Sequence, residues 1–298
     1  MRARVLVPAA SGNLGSGFDS AGMALALYNE ALVDTALEGV QVEGEGAGLL
    51  PTDERNHCVW AMQELARRCG RRLPDVGLRL TNRIPIGRGM ASSGAAVISG
   101  LMLANVLFDS PCSRQDLMDL GTELEGHPDN VAAALLGGVV VSVWDGHCVE
   151  AVRLQPPEDM YAVLWVPEAE LETKRARAAL PEHVSMSDAV FNLSHAALFA
   201  AAFAVGQWEH LRTGARDRLH QPYRAPMVKG LNEMLDASVQ SGALASWLSG
   251  AGPCVLALCK GDTAYVERCM YEVGIKHAGK GRILKLRPDL LGAQIACV

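Results

Sequence analysis

Residues 85–94 read Pro85-Ile86-Gly87-Arg88-Gly89-Met90-Ala91-Ser92-Ser93-Gly94, and Ala95 follows. Just before them, Val76–Thr81 alternates in strand fashion. Just after, Ala95, Val97, Ile98, Leu101, Met102, Leu103 and Val106 make a helix to Leu107 that is apolar nearly all round. Such a helix should be buried. The stretch is therefore a glycine loop that delivers the chain from a strand into a buried helix. Glycines let backbone N–H groups face inward without a Cβ in the way. The helix N-terminus adds a positive dipole end, and two serines add hydroxyls. That combination suits an anion, and phosphate is the natural ligand. It is not a Walker A, because no Gly-Lys-Ser/Thr follows, nor a GxGxxG, because Ser92 takes the third glycine's place. On these residues alone, a tight turn capped by Ser92 or Ser93 remains open.

Outward from the loop, the first half reads as mixed α and β. Arg4–Val7 is a short strand, Ala21–Val33 and Val40–Gly44 are strand material, and Asn56 caps a helix to about Cys69. Beyond the loop helix come a helix over 116–125, the polar turn His127-Pro-Asp-Asn130, a helix over 131–136 and a strand over 139–144. Pro156-Pro157 marks a boundary. After it, strands over 162–166, 255–259 and 283–286 alternate with helices over 187–206, 226–241 and 262–274. No long βαβ series appears, so the expectation is two α+β layers rather than one doubly wound sheet.

Composition narrows the function classes. The chain has 298 residues, with 49% apolar and 20% charged, which is globular and not disordered. A net charge of −6 leaves no electrostatic footprint for nucleic acid. The cluster Arg67, Arg68, Arg71 and Arg72 sits at a helix end, where it complements the dipole. The longest apolar run, 196–205, is about half of the ~20 residues a bilayer span needs, so no membrane segment is expected. No signal-peptide core forms at the N-terminus. Eight cysteines, including Cys297, are scattered without a CxxC pair. That usage fits a reducing cytoplasm and neither a disulfide framework nor a zinc site.

Three further stretches carry polar groups among glycines or at turns. Pro8–Ser20 holds three glycines with Asn13 and Asp19, and reads alone as a capped turn. Glu123-Leu-Glu-Gly-His-Pro-Asp-Asn130 bunches carboxylates, a histidine and an amide. A glutamate there could hold Mg²⁺, which needs one or two carboxylates plus phosphate oxygens. Equally, Asp129 or Asn130 could simply cap the next helix, and Glu125 reads as part of a solvated face. Ser249-Gly-Ala-Gly-Pro-Cys254 is a second glycine turn feeding a strand.

Taken together and in this order, these motifs resemble the GHMP kinase superfamily over essentially the whole length. Pro8–Ser20, Pro85–Ala96 and Ser249–Pro253 are similar to its three motifs. Glu125-Gly-His-Pro-Asp-Asn130 through Gly138, and Asp217-Arg-Leu-His-Gln-Pro-Tyr-Arg224, resemble the homoserine kinase branch in particular. The pattern departs at Ala10, Gly12, Ser16, Ala91 and Cys254, where the family usually carries Thr, Ala, Pro, Gly and Ser or Thr.

The resemblance implies a two-domain α+β GHMP kinase fold. Its N-terminal ATP-binding domain (1–155) would be like ribosomal protein S5 domain 2, and its C-terminal domain (156–298) ferredoxin-like. It implies ATP-dependent phosphorylation of L-homoserine in threonine biosynthesis. The alternatives are another small carboxylate-bearing alcohol, or a non-catalytic nucleotide-binding sensor. ATP would lie on Pro85, Ile86, Gly87, Arg88, Gly89, Met90, Ala91, Ser92, Ser93, Gly94 and Ala95, with Asn56 near the adenine. Ser93 (or Ser92) and Glu123 would hold Mg²⁺. Asp19 would take the substrate ammonium, and Arg224, helped by Arg177, its carboxylate. Asn13, His127, Asn130 and Thr173 would complete the substrate site. Ser93, Glu123 and Asn130 would serve catalysis directly. No general base is implied, Asp19 being the one candidate to test. The resemblance leaves room for a homodimer, and implies no nucleic acid or membrane partner.

Overall fold

Strand β1 (Arg2–Gly12) turns Ala3, Val5, Val7 and Ala9 into the core, none more than 5% exposed. It pairs antiparallel along its length with β2 (Ala21–Asp34), shifting register between Pro8 and Ala9. At 14 residues, β2 serves several partners. β4 (Gly77–Asn82) pairs antiparallel with the end of β2 and carries β3 (Val40–Gly44) parallel on its other side, while β5 (Val139–Trp144) pairs with the beginning of β2. β6 (Val149–Leu154) adds to β5. The computed structural model describes residues 2–296, so Cys297 lies outside the described residues.

Four helices cover this sheet. α1 (His57–Arg68) starts where Asn56 Oδ1 accepts the Cys58 N–H at 3.0 Å, and ends on Arg67 and Arg68. α2 (Ser92–Leu107) buries 12 of its 16 residues, as its all-round apolar pattern requires. α3 (Arg114–Glu125) opens on a capping box between Ser113 and Asp116 and ends at Gly126. Only a short turn separates it from α4 (Asp129–Leu136), so Glu125 and Asn130 both reach the N-terminal end of α2.

The second layer is a four-stranded antiparallel sheet of β7 (Met160–Pro167), β8 (Ala245–Leu248), β9 (Val255–Lys260) and β10 (Gly281–Leu286). Its spatial order, β10-β7-β9-β8, is the split βαβ order of a ferredoxin-like domain. Its helices are α5 (Thr173–Ala178), α6 (Met186–Val205), α7 (Leu211–Gly214), α8 (Gln221–Arg224), α9 (Leu231–Gln240) and α10 (Ala264–Val273). Alternation divides the sheet cleanly. Val163, Trp165, Val255 and Ala257 pack with Leu231, Met234, Val266 and Met270 of α9 and α10. Ala162, Leu164, Leu256 and Leu258 point the other way and join the core of the first layer. The two layers therefore share one apolar core.

Several elements differ from the sequence reading. The first strand runs from Arg2 to Gly12 because β2 supplies a partner for all of it. β6, α7 and α8 are additional, and the helix expected over 226–241 begins only at Leu231. Pro156-Pro157 lies between β6 and β7. A final short strand, β11 (Gln294–Ala296), returns to the first sheet and pairs with β1. The segment 156–298 thus contributes a strand to the N-terminal layer.

One exclusion is corrected. α6, with 20 residues and a mean hydropathy of 1.4, is long and apolar enough by length and composition to cross a membrane. Counting only uninterrupted apolar residues overlooked it, because Ser187, Asp188, Asn192, Ser194 and His195 interrupt the run without making the helix polar on average.

Candidate active site

A cleft of about 790 Å³ opens at the start of α2, a volume ordinary for a small-molecule site. Its floor is the glycine loop. The loop's carbonyls are spoken for by its surroundings. Leu171 N–H donates to Gly87 O (2.9 Å), Cys254 N–H to Arg88 O (3.3 Å), Ser249 Oγ to Gly89 O (2.7 Å) and Ala10 N–H to Met90 O (3.2 Å). Among the described residues, no N–H from Gly87 to Ser93 donates to another backbone or side-chain group. Those donors, with the α2 dipole behind them, form the anion site that the sequence anticipates. Gly89, at φ 74°, has room for no side chain, because a Cβ would lie 2.1 Å from Ser249 O. Ser249 Oγ also bonds Ser11 Oγ at 2.8 Å, and Gly250 N–H donates to Gly12 O at 3.2 Å. The three glycine stretches are thus bolted to one another.

At one end of the cleft, Leu50, Pro51, Asn56, Trp60, Leu80 and Ile86 form a mostly apolar wall. Asn56 both caps α1 and donates to Pro51 O at 2.8 Å, fixing that wall. In the middle, Ser93 Oγ donates to Glu125 Oε1 (2.8 Å) and lies 3.0 Å from His57 Nδ1. A hydroxyl and a carboxylate side by side at an anion site are a donor set that fits Mg²⁺.

At the other end the polar groups converge. Arg177 forks onto Asp19 through bonds of 2.9 and 2.7 Å. Arg224 is only 2% exposed. Its Nη1 donates to Gly250 O (3.0 Å) and its Nε to Ala176 O (3.4 Å), and no carboxylate among the described residues pairs with it. Burial and the neighbouring Arg177 push its pKa down to about 10, so it stays charged at neutral pH. Asp129, 1% exposed, lies 2.6 Å from His127 Nδ1 and accepts the Asn13 N–H at 3.2 Å. Burial alone would lower the His127 pKa, but the hydrogen bond and charge of Asp129 outweigh it and the value is raised. Asn130 Oδ1 is buried with no partner among the described residues, an orphan acceptor at the cleft wall.

Residues 56–138 match the GHMP kinases N terminal domain family and residues 199–275 the GHMP kinases C terminal family. A homoserine kinase of Carboxydothermus hydrogenoformans is 40% identical over 97% of this chain and 95% of its own length. That of Deinococcus radiodurans is 40% identical over 98% and 96%.

The chain belongs to the homoserine kinase family of GHMP kinases.

Among solved structures, the homoserine kinase from Cytophaga hutchinsonii superposes with a TM-score of 0.87 at 26% identity, covering 99% of this chain and 97% of that one. The two-domain GHMP kinase fold is therefore shared.

Against this family pattern, the structure gathers Asn13, Asp19, Asn56, His127, Asn130, Thr173, Arg177, Arg224 and every residue from Pro85 to Gly94 around the cleft. Ala95 is fully buried one turn behind it. Glu123 is not there, and its expected metal role is corrected. At about 3.6 residues per turn, two positions along α3 turn a side chain through roughly 200°, so Glu123 points away from Glu125 and pairs with Arg68 of α1, beside Asp119 and Trp144. Glu125, read from sequence as a solvated residue, is the carboxylate that meets Ser93. Asn13 is a brace more than a free ligand, since its Nδ2 donates to Gly250 O and its Oδ1 accepts the Asp19 N–H. Arg88 reaches sideways to the carbonyls of Pro167 and Glu168, tying the loop to β7. His57, Asp129 and Lys174 also line the cleft and went unnoticed. Asp129 sat in the quoted His-Pro-Asp-Asn motif, where a capping role hid it.

The departures at Ala91 and Cys254 are accommodated. Ala91 adopts the left-handed conformation (φ 57°, ψ 36°) usually left to glycine, and Cys254 is a buried thiol held neutral by that burial. Asp19, His127 and Asp129 offer ligand atoms within 4.8 Å of one another. Each already has a partner, so this group is satisfied without an ion.

Proposed function

We propose that this chain transfers the γ-phosphoryl group of ATP to the side-chain hydroxyl of L-homoserine, giving O-phospho-L-homoserine and ADP. The observation that carries the reading is Arg224: a buried, charged guanidinium at the cleft wall that no carboxylate among the described residues pairs. Leaving such a group unpaired is costly, so its natural complement is a ligand carboxylate taken bidentately. Asp19 offers the opposite charge for the substrate ammonium, and would exchange part of its fork with Arg177 to do so. A zwitterionic amino acid matches both.

Phosphoryl transfer asks for positioning and charge stabilisation more than covalent chemistry. The loop N–H groups and the α2 N-terminus receive the β- and γ-phosphates. The apolar wall around Asn56 and Trp60 takes the adenine. Ser93 and Glu125 are the residues that would hold Mg²⁺, which supplies neutralisation of phosphate charge. Asn130 Oδ1 accepts a hydrogen bond from the acceptor hydroxyl and aims it. The free thiols of the seven described cysteines support a reducing, cytoplasmic setting.

The test is a panel of small alcohols with ATP. Homoserine should turn over far faster than its decarboxylated analogue 3-aminopropanol, which lacks the group Arg224 binds. Equal rates would mean that the carboxylate is not read.

A further inference from the structure

The stretch Asp217-Arg-Leu-His-Gln-Pro-Tyr-Arg224 contributes more than its arginine. His220, at the start of α8, is completely buried. Its Nε2 lies 2.7 Å from Gly15 O, and its Nδ1 lies 3.2 Å from Arg224 Nη1. These two partners fix the tautomer. A carbonyl can only accept, so Nε2 carries the hydrogen. A guanidinium can only donate, so Nδ1 is bare. A protonated ring would set N–H against N–H. Burial and the Arg224 charge hold the imidazole pKa below its ordinary value, against the pull of Asp217 and Asp19. The neutral ring is therefore the form present at pH 7. Asp217 lies 3.6 Å from Nε2, but its oxygens accept the N–H groups of Leu219, His220 and Gln221.

The consequence falls on Arg224. Its Nη1 donates to His220 Nδ1 and to Gly250 O, at 3.2 and 3.0 Å, which uses both hydrogens. Nε has only a long bond of 3.4 Å to Ala176 O, and Nη2 bonds no group among the described residues. The edge made by Nε and Nη2 is thus the one left for a bidentate carboxylate. Phe18 closes the arrangement. Its ring stacks on the imidazole with centroids 5.3 Å apart and lies 5.5 Å from Arg224 Cζ. Through His220 the first glycine stretch, at Gly15, helps to aim the arginine, and the third stretch does so directly, at Gly250.

We propose that His220 is a positioning residue for the reaction: its bare Nδ1 holds Arg224 Nη1 and so turns the Nε–Nη2 edge toward the substrate carboxylate. This role rests on Arg224 being the carboxylate receptor. Two variants separate the two bonds of the ring. His220→Gln places an amide N–H near the Nε2 position, which keeps the donor to Gly15 O and loses the acceptor for Arg224. His220→Asn places a carbonyl oxygen near the Nδ1 position, which keeps the acceptor and loses the bond to Gly15. His220→Gln should raise KM for homoserine about tenfold and leave KM for ATP near wild type, while His220→Asn should stay within about threefold. The preference for homoserine over 3-aminopropanol, taken as a ratio of kcat/KM, should fall by a similar factor in His220→Gln. The reverse ranking of the two variants would mean that the ring only braces Gly15, and would overturn the role. So would a preference that survives intact in His220→Gln. A wild type with no preference for homoserine over 3-aminopropanol would instead remove Arg224 as the receptor, and the role of His220 with it. The tautomer is read on the wild type by NMR of ¹⁵N-labelled histidine, the His220 signals being those that vanish in His220→Asn. At pH 7 they should show a neutral ring with its hydrogen on Nε2. A charged ring, or a hydrogen on Nδ1, would overturn the role whatever the variants do.

Discussion

Ser93, in the first turn of α2, donates its hydroxyl to Glu125 at the last turn of α3 across 2.8 Å, directly beside the loop N–H groups. The pair welds the phosphate-loop helix to the turn that carries His127 and Asn130. Glu123, two residues earlier, is on a different face and serves Arg68 instead.

Glu125→Gln should therefore lower kcat severely while the fold survives. Losing the carboxylate removes charge stabilisation worth several kcal/mol, on the order of 10²-fold or more in rate. Glu123→Gln should change kcat by less than about twofold, since an exposed ion pair contributes little. Steady-state kinetics at saturating Mg²⁺ checks both, and the reverse ranking would sink the assignment.

Arg224→Leu should raise KM for homoserine and leave KM for ATP near wild type. A charge-assisted bidentate contact in a closed cleft is worth about 2–4 kcal/mol, or roughly thirty- to a thousand-fold. Because Arg224 also holds Gly250 O, Arg224→Lys is the companion variant: it keeps the charge, and should recover only part of the affinity because it lacks the fork. A proportional rise in both KM values would show damage to the loop rather than loss of carboxylate recognition.

Asp129→Asn should lower the His127 pKa, which Asp129 now holds above its ordinary value of about 6.5. The sign for stability follows. A raised folded pKa stabilises the protein fully below about pH 6.5, and that contribution fades as pH rises through the folded value. With only burial left, the variant's imidazole resists protonation, so the variant should lose stability relative to wild type as pH falls from 8 to 5.5. Imidazole proton shifts and melting temperatures across that range measure both effects. An unmoved His127 titration would detach Asp129 from it.

Ala91→Gly should stabilise the protein slightly. A left-handed alanine is strained by about 1–2 kcal/mol, part of which glycine's unfolded-state entropy takes back. A rise of about 1–2 °C in Tm is expected. A fall of several degrees would mean that the methyl packs usefully, and that the departure at this position is an adaptation.

Legibility from sequence followed range. The loop at 85–94 and its apolar helix could be read because both are local: glycine, serine and one-sided or all-round periodicity act within a few residues. β11 could not, since a three-residue edge strand exists only because β1 has a free edge nearly 290 residues away. The site divides the same way. The glycine loops and the His-Pro-Asp-Asn turn announced the cleft, but the choice between Glu123 and Glu125 depends on how α3 is rotated against α1 and α2. Nothing within the sequence Glu-Leu-Glu records that rotation. Likewise Asn13 stood out as a polar residue among glycines, and only the fold shows both ends of its amide engaged by Gly250 and Asp19.

The central claim is phosphoryl transfer from ATP to homoserine, and a coupled assay of ADP release addresses it most directly. Purified protein with ATP and Mg²⁺ should release ADP only slowly. Adding L-homoserine should raise the rate by orders of magnitude, with one O-phospho-L-homoserine formed per ADP by ³¹P NMR. ADP release that homoserine leaves unchanged, with nucleotide binding intact, would contradict the account.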